Sequence, residues 1–580
     1  MQKKIKIKIN GKIIKANKEQ TIAEVAIKNG IDIPLLCSHS DLKFKPNCRI
    51  CSVEIKGLKG LYPACSTKIK EGMEILTDSP RAKKARKINL ELIFAQHTKK
   101  CLDCVRRYNC QLLDLVRRYQ IKANRFLERK KKYPIYQFGP ILLDSSKCID
   151  CRNCVEICKT QGVGFLEIKK KGHSFQIAPS HKKNKDCVYC GQCIVHCPVG
   201  VFEGSGEFEE IEKPFKEKDK ILIVQFAPAL RVSLGEFFNM PYGTVVTEKI
   251  AAALKKLGAF KVFDTSLGAD FTTVEEANAL IERLTKERNL PMFTSCCPAW
   301  VKFVEFYYPS FVPNLTTVRS PHIILGGLIK TFWAKKEGID PERIKVISIM
   351  PCVAKKYEIA RRELKINNLK PVDCVLTTRE LAYLLIKNKV DLKTIKPQKL
   401  DTPLGFPSGA GVIYGASGGV MEAALRTSYE KLSGKRLLNI EFKKIRGMEE
   451  IKEAKMKIGK RLIKIAAVNG LGGAKKILEK LKKKKNIYDY IEVMACPGGC
   501  IGGGGQPLPT DDKIRKKRAK GLYNIDSQKK VKMAHKNPIV EKVYKTFLKE
   551  EKTIHSICHT RYFRKKKGKI KIIKTLDEKS

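Results

Sequence analysis

Five cysteines in three short segments carry the densest chemistry in this chain. Cys296 and Cys297 stand side by side in Thr294-Ser295-Cys296-Cys297-Pro298-Ala299-Trp300. Cys352 lies in Met350-Pro351-Cys352-Val353-Ala354-Lys355-Lys356-Tyr357-Glu358. Cys496 and Cys500 bracket Pro497-Gly498-Gly499, and Gly502 to Gly505 and Gln506 follow. An iron–sulfur cluster takes four thiolates, so five thiols can hold one cluster and leave a sulfur for another task. Pro298 suits a first helical position, where its missing N–H costs nothing. The N-terminal end of a helix also favours thiolates. The competing reading is five inert cysteines, since a free Cys packs as a small hydrophobe; three segments of this detail argue against it.

The remaining cysteines fall into sets. Cys37, Cys48, Cys51 and Cys65 follow a hairpin and a helix. In the hairpin, Lys3 to Ile9 alternate Lys and Ile, the period of a half-buried strand. Asn10-Gly11 is a type I′ turn signal, and Lys12 to Lys15 begin the return strand. Thr21 to Glu24 read as a capping box, and the helix should stop near Gly30. This order suggests a β-grasp ferredoxin domain with those four cysteines as ligands. His97, Cys101, Cys104 and Cys110 could hold zinc or an iron–sulfur cluster. Two ferredoxin runs follow: Cys148, Cys151, Cys154, Cys158, then Cys187, Cys190, Cys193, Cys197. In two-cluster modules the fourth cysteine of each run serves the other cluster. Cys197 is therefore expected with Cys148, Cys151 and Cys154, and Cys158 with Cys187, Cys190 and Cys193.

At 580 residues the chain should hold several domains. No apolar run approaches the ~20 residues of a membrane span, and the N-terminus does not read as a secretory signal. The chain carries 22 cysteines, and their close spacing favours metal over disulfides, hence a reducing compartment, the cytoplasm. The net charge of +56 raises nucleic-acid binding. The lysines are spread over the whole length without a nucleic-acid motif, so we read diffuse basic composition, with a docking surface for an acidic electron carrier as the alternative.

The elements that must position these residues are legible in outline. Residues 123–137 read as a basic linker, and 204–220 as a charged break. Arg106, Arg107, Arg117 and Arg118 read as solvated. Beyond the break, apolar strand-like runs alternate with amphipathic helices: Ile221 to Val224, Lys345 to Ile349, Lys464 to Val468, Ile491 to Val493. That is an α/β pattern. Ligands just after such strands lie where open α/β sheets bind ligands. The glycines at 502–505 let backbone approach a cofactor closely. No dinucleotide or phosphate-loop fingerprint is present. His555, His559 and Tyr562 in the basic tail read as structural or surface residues, and Cys374 and Cys558 as packing residues.

The three central segments resemble the signature segments of the FeFe-hydrogenases (iron-only hydrogenases), and the resemblance covers essentially the whole chain. It implies a multidomain α/β and α+β protein. Residues 1–79 would be a β-grasp 2Fe–2S ferredoxin domain, whose long first cysteine gap resembles hydrogenases and the large iron–sulfur subunit of respiratory complex I. Residues 80–125 would hold a His-ligated 4Fe–4S cluster on His97, Cys101, Cys104 and Cys110. Residues 126–210 would be the bacterial-type two-cluster ferredoxin, 211–510 a two-lobed catalytic domain, and 511–580 its C-terminal extension. The implied cofactors are one 2Fe–2S cluster, three accessory 4Fe–4S clusters and an H-cluster. In the last, Cys297, Cys352, Cys496 and Cys500 would hold a 4Fe–4S cluster, with Cys500 bridging to a diiron subsite carrying CO, cyanide and azadithiolate.

By the same resemblance Lys355 and the backbone at Pro228 and Ala229 would bind the cyanide ligands, with the N–H of Ala229 as donor, and Met494 would pack on the diiron unit. Cys296 would pass protons as a thiol of moderated pKa. Beyond it, Glu276 matches the family's first relay carboxylate, Thr316 its hydroxyl residue, and Arg283 its basic residue near the exit. Ala279 stands where a second Glu is usual, and alanine carries no proton. Either water fills that gap or Glu282, one turn along a helix expected over 274–286, restores the relay; we take Glu282 as the expectation. The implied activity is reversible oxidation of H2, with electrons passing to ferredoxin or to NAD(P)-reducing flavoprotein subunits. Separate maturation enzymes would build the diiron site. A complex I-type electron-transfer subunit, an iron–sulfur assembly factor and a hydrogen sensor are the rivals. None accounts for Cys296, Lys355 and the N-terminal domains together with the absence of a signalling domain.

Overall fold

The computed structural model describes residues 4–575 except 96, 98–100, 102–103, 105, 123–124, 128–133, 172–173, 205–211, 214, 218, 403, 436, 438–442, 460 and 485. Lys3, much of the expected linker and much of the charged break lie outside the described residues.

The hairpin forms as expected. Strands Lys4–Ile9 and Lys12–Asn17 pair antiparallel, with Asn10 and Gly11 both at positive φ. They join Glu74–Leu76, Ser52–Ile55 and Tyr62–Pro63 in a five-stranded sheet. Helix Ile22–Lys28 packs on it with the full Thr21/Glu24 capping box. The alternating isoleucines Ile5, Ile7 and Ile9 are buried while their lysine neighbours face water.

The linker reading needs correction. Residues Pro134–Phe138 form a strand, paired with Ile141–Asp144 on one side and with Ile570–Thr575 on the other. The C-terminal strand thus returns to the cysteine-rich middle of the chain, some 430 residues back in sequence. Arg106 is not solvated either. It is 2% exposed, pairs with Glu203 and donates to the carbonyls of Cys197 (3.0 Å) and Ile194 (2.7 Å). A guanidinium with five donors can hold two chain segments together where a lysine could not. Arg117 and Arg118 are surface residues as expected.

Two four-stranded sheets build the second half. One runs Lys261–Asp264, Ile221–Phe226, Ile344–Met350, Cys374–Thr377, all parallel. The other runs Met292–Phe293, Tyr490–Met494, Arg461–Asn469 in parallel, closed by the antiparallel edge strand Ile451–Ile458. The four expected runs are all strands, each one to three residues longer at an end. Strands buried on both faces carry continuous apolar sequence rather than alternation, which is why they were legible. Helix Thr265–Lys286 is longer than the expected 274–286 because Asp264 caps it, accepting from Ser266 N at 2.9 Å.

The tail wraps the body through buried ion pairs. Arg515 grips Asp41 of the N-terminal sheet domain at 2.7 and 2.9 Å. Arg518 binds Glu236, and Arg426 binds Asp526. Cys558 is fully buried in an apolar cluster, and Cys374 is half-buried against another, as packing residues would be. No helix among the described residues is long and apolar enough to cross a membrane.

Candidate active site

Strand ends from both sheets converge on one cavity. Ile221–Phe226 delivers Pro228 and Ala229, and Ile344–Met350 delivers Cys352. Met292–Phe293 delivers Cys296 and Cys297, and Tyr490–Met494 delivers Met494 and Cys496. All of these line the cavity, with Cys500 and Lys355. This is the carboxyl-end crevice of parallel sheets, here built from two sheets at once. Cys297 is the N-cap and Pro298 the first residue of helix Pro298–Tyr307. Burial raises the pKa of Cys297, outweighing the backbone N–H groups of Ala495, Trp300 and Ala299, which favour its thiolate. Burial, and then the neighbouring thiols, likewise push Cys352 up to about 12 and Cys496 well above the ordinary range. Four thiolates gathered this closely in an apolar cavity need cationic metal to balance them. The donor set fits a four-thiolate iron–sulfur cluster.

Cys296 is pushed well above the usual thiol range, first by burial and then by the Glu276 carboxyl. It is held as a neutral thiol. Lys355 donates to the carbonyl of Cys296 (3.1 Å) and to Glu358 (2.7 Å). Burial opposes its charge, but Glu358 more than offsets this and its pKa is raised. Despite its own burial, Glu358 is held at about 2 by Lys355 and His322.

Glu276 is 1% exposed, and burial lifts its pKa to about 8. Its carboxylate accepts from the Tyr490 hydroxyl at 3.1 Å. Arg283 acts on it electrostatically and also donates to the carbonyls of Asn314 (2.8 Å) and Leu315 (2.8 Å), fixing the segment that carries buried Thr316. Glu282 does not take up the place of the missing carboxylate. Its side chain is 62% exposed and pairs with Lys286 at 2.7 Å, while Ala279 is half-buried against Leu280, Leu284 and Tyr490. Residues three apart share a helix face only approximately, and here the boundary between core and water passes between them. Glu282→Gln is expected to leave turnover within about twofold, since an exposed i,i+4 pair contributes little; a pH series of hydrogen uptake checks it. Tyr490→Phe is expected to do more. Removing a donor to a carboxylate favours its protonated form, so Glu276 should rise further above 8. The pH dependence of hydrogen oxidation, which requires this group to shed its proton, should move to higher pH. An unmoved profile would count against any role for Glu276 in proton passage.

Sequence reasoning missed Tyr490, Glu358, His322 and Tyr414, whose hydroxyl meets Thr273 at 2.8 Å behind the cavity wall. It also gave the glycine run one task too few. Gly503 lines the cavity, but a side chain on Gly504 would collide with Gly191 of the second ferredoxin run, at 2.7 Å from its Cα. Gln192 donates to the carbonyl of Gly502 at 3.1 Å, and the Cys496 thiol reaches the Cys190 carbonyl at 3.7 Å. The glycines let the ferredoxin segment dock directly on the cavity.

The other cysteines lie in sets. Cys148, Cys151 and Cys154 each lie in the field of Cys197, and Cys187, Cys190 and Cys193 each in that of Cys158. Cys37 acts on Cys151 across the domain contact, and a side chain on Gly200 would meet Cys104 at 2.8 Å. His97, Cys101, Cys104 and Cys110 line one small cavity with Lys147. Cys37 accepts from Cys48 N at 3.4 Å and is lowered to about 6, first by its contact with the Cys48 thiol.

Comparison with known proteins fits this arrangement. Residues 220–504 match the family described as iron only hydrogenase large subunit, C-terminal domain. Residues 512–565 match iron hydrogenase small subunit. The 2Fe-2S iron-sulfur cluster binding domain matches 2–80, the NADH-ubiquinone oxidoreductase-G iron-sulfur binding region 86–125, and the 4Fe-4S dicluster domain 147–201. The NADP-reducing hydrogenase subunit HndD of Solidesulfovibrio fructosivorans is 38% identical over 97% of this chain and 99% of its own. The chain belongs to the FeFe-hydrogenase family. Iron hydrogenase 1 of Clostridium pasteurianum is 37% identical over 96% of this hydrogenase and 99% of its own length. The solved FeFe-hydrogenase HydA1 of Chlamydomonas reinhardtii superposes with a TM-score of 0.56 at 35% identity, covering 61% of this chain and 98% of that one. The assembly-factor rival has relatives here too: the cytosolic Fe-S cluster assembly factor narfl of Danio rerio is 30% identical, over 60% of this chain. The matches to HndD and to iron hydrogenase 1 run over 97% and 96% of the chain.

Proposed function

We propose that this hydrogenase catalyses the reversible oxidation of H2 to protons and electrons at an H-cluster held by Cys297, Cys352, Cys496 and Cys500. The observation that carries the reading is a fifth thiol, Cys296, beside a four-thiol cavity that also holds a buried lysine. The H-cluster, when bound, supplies the heterolytic cleavage of hydrogen at an open iron position. Cys500 would also help to hold the diiron subsite. Lys355, held by Glu358 and the Cys296 carbonyl, would give a charge-assisted hydrogen bond to a cyanide ligand. The turn at Pro228 and Ala229 would contact a second, and Met494 would pack on the diiron unit.

Cys296 and Glu276 would move protons between that group and the protein, with Thr316 and Arg283 toward the exit. Tyr490 rather than Glu282 is the group that meets Glu276. Electrons would leave through Cys190 and its set, the Cys148 set, and then the 2Fe–2S site on Cys37, Cys48, Cys51 and Cys65 or the His97 site. We read residues 1–79 as a β-grasp ferredoxin, 80–125 as the His-ligated cluster domain, 126–210 as the two-cluster ferredoxin, 211–510 as the catalytic domain and 511–580 as its extension. We read its compartment as a reducing one, the cytoplasm, a reading that the close spacing of the 22 cysteines supports.

The electron partner is ferredoxin or a set of NAD(P)-linked subunits, the latter favoured by full-length similarity to a subunit of an NADP-reducing hydrogenase. The sequence carries no dinucleotide fingerprint, so the isolated, matured chain should reduce methyl viologen under H2 but not NADP. Reduction of NADP by the isolated chain would overturn the division of labour. Failure to reduce viologen, with maturation proven, would overturn the activity.

A further inference from the structure

His322 belongs to none of the roles assigned so far. It lies in helix Pro321–Leu328, is 1% exposed, and lines the thiol cavity. Its backbone is pinned: Gln225 donates to its carbonyl at 2.9 Å, and Gly268 packs so tightly that a Cβ there would strike the Pro321 carbonyl. Its Nε2 meets Glu358 at 2.6 Å, and the same carboxylate oxygen accepts from Lys355 at 2.7 Å. Because Glu358 is ionised, Nε2 must carry hydrogen and donate. Nδ1 then remains, buried and without a hydrogen-bond partner. A buried polar atom left unpaired is costly, and one on a cavity wall is poised for what the cavity binds.

We propose that His322 is a further ligand-contacting residue of the active site, whose Nδ1–H donates to an anionic diatomic ligand of the bound diiron group. Glu358 is then shared by two cations, Lys355 and His322, and sets the position of both. Burial and the charge of Lys355 hold the imidazole pKa at about 4 in the protein alone. An anionic acceptor at Nδ1 reverses that balance, since an adjacent opposite charge favours the protonated ring. The inference rests on the hydrogenase reading.

The test compares matured parent, His322→Gln and His322→Leu proteins by infrared spectroscopy, with pulsed EPR on protein carrying 15N-histidine. Loss of the donor in His322→Leu should shift at least one cyanide band, and His322→Gln, which keeps an N–H donor, should lie between it and the parent. The labelled parent should show a ring-nitrogen coupling to the paramagnetic cluster that His322→Gln lacks. That coupling separates direct contact from an effect relayed through Glu358. Superimposable cyanide bands in the parent and His322→Leu, or a coupling unchanged in His322→Gln, would overturn the proposal. A parent protein without CO and cyanide bands would instead remove the hydrogenase reading beneath it.

Discussion

Cys296→Ala is expected to lower hydrogen turnover by roughly 10²–10⁴-fold, the range that one positioned proton-transfer group supplies. Iron content and the infrared bands of the bound cofactor should be retained. The reasoning is positional. Four other cysteines in the same cavity suffice for a cluster, and Cys296 is the one that lies in the field of the buried carboxyl of Glu276. What it gives to Lys355 is a backbone carbonyl, which alanine keeps. Burial holds the thiol neutral, so it can act as a donor only by handing over its proton and regaining one in the same passage. Cys352→Ser is the contrasting variant, since it should lose the cluster itself. Full turnover by Cys296→Ala would show that protons travel by another route.

Lys355→Met is expected to have the largest structural effect of any single change in the site. Glu358 is buried, and its charge is balanced by Lys355 before His322. Breaking a buried pair by removing one partner costs about 3–5 kcal/mol, because the remaining charge is stranded. The variant should therefore unfold at a lower temperature. It should also fail to retain the diiron group, so the CO and cyanide bands disappear while the accessory clusters remain. Adding Glu358→Gln should recover much of the thermal stability, since no ion is then left unpaired, but not the bands. Thermal unfolding together with infrared spectra separates these two effects. Retention of unshifted bands by Lys355→Met would remove this lysine from the ligand-binding site.

The parts of this molecule that sequence disclosed are those written in local spacing. The paired ferredoxin runs, the capping box at Thr21 and Glu24, the Asn10-Gly11 turn and the strands ahead of the cysteines each depend on neighbours a few residues away. The parts it hid depend on pairs brought together by the fold. Tyr490 and Glu276 meet from positions 214 residues apart, and Tyr490 reads in sequence as one more apolar strand residue. His322 reaches Glu358 from a different element. Arg106 looked like a surface arginine in a basic chain, yet it closes onto Cys197 from 91 residues away. The strand Ile570–Thr575 carries lysines at Lys571 and Lys574 and finds its place only because Pro134–Phe138 offers an open edge. Glu282 shows the limit of helical spacing as an argument, because spacing gives a face but not the depth at which the face meets water.

The central claim is that this cavity holds a diiron group with CO and cyanide ligands. The most direct measurement is an infrared spectrum of anaerobically matured protein in the window where metal-bound CO and cyanide absorb. Bands from both are expected. Absence of both, in protein shown to carry its full iron–sulfur complement after proven maturation, would contradict the claim. The chain would then be an electron-transfer or assembly protein on a hydrogenase scaffold.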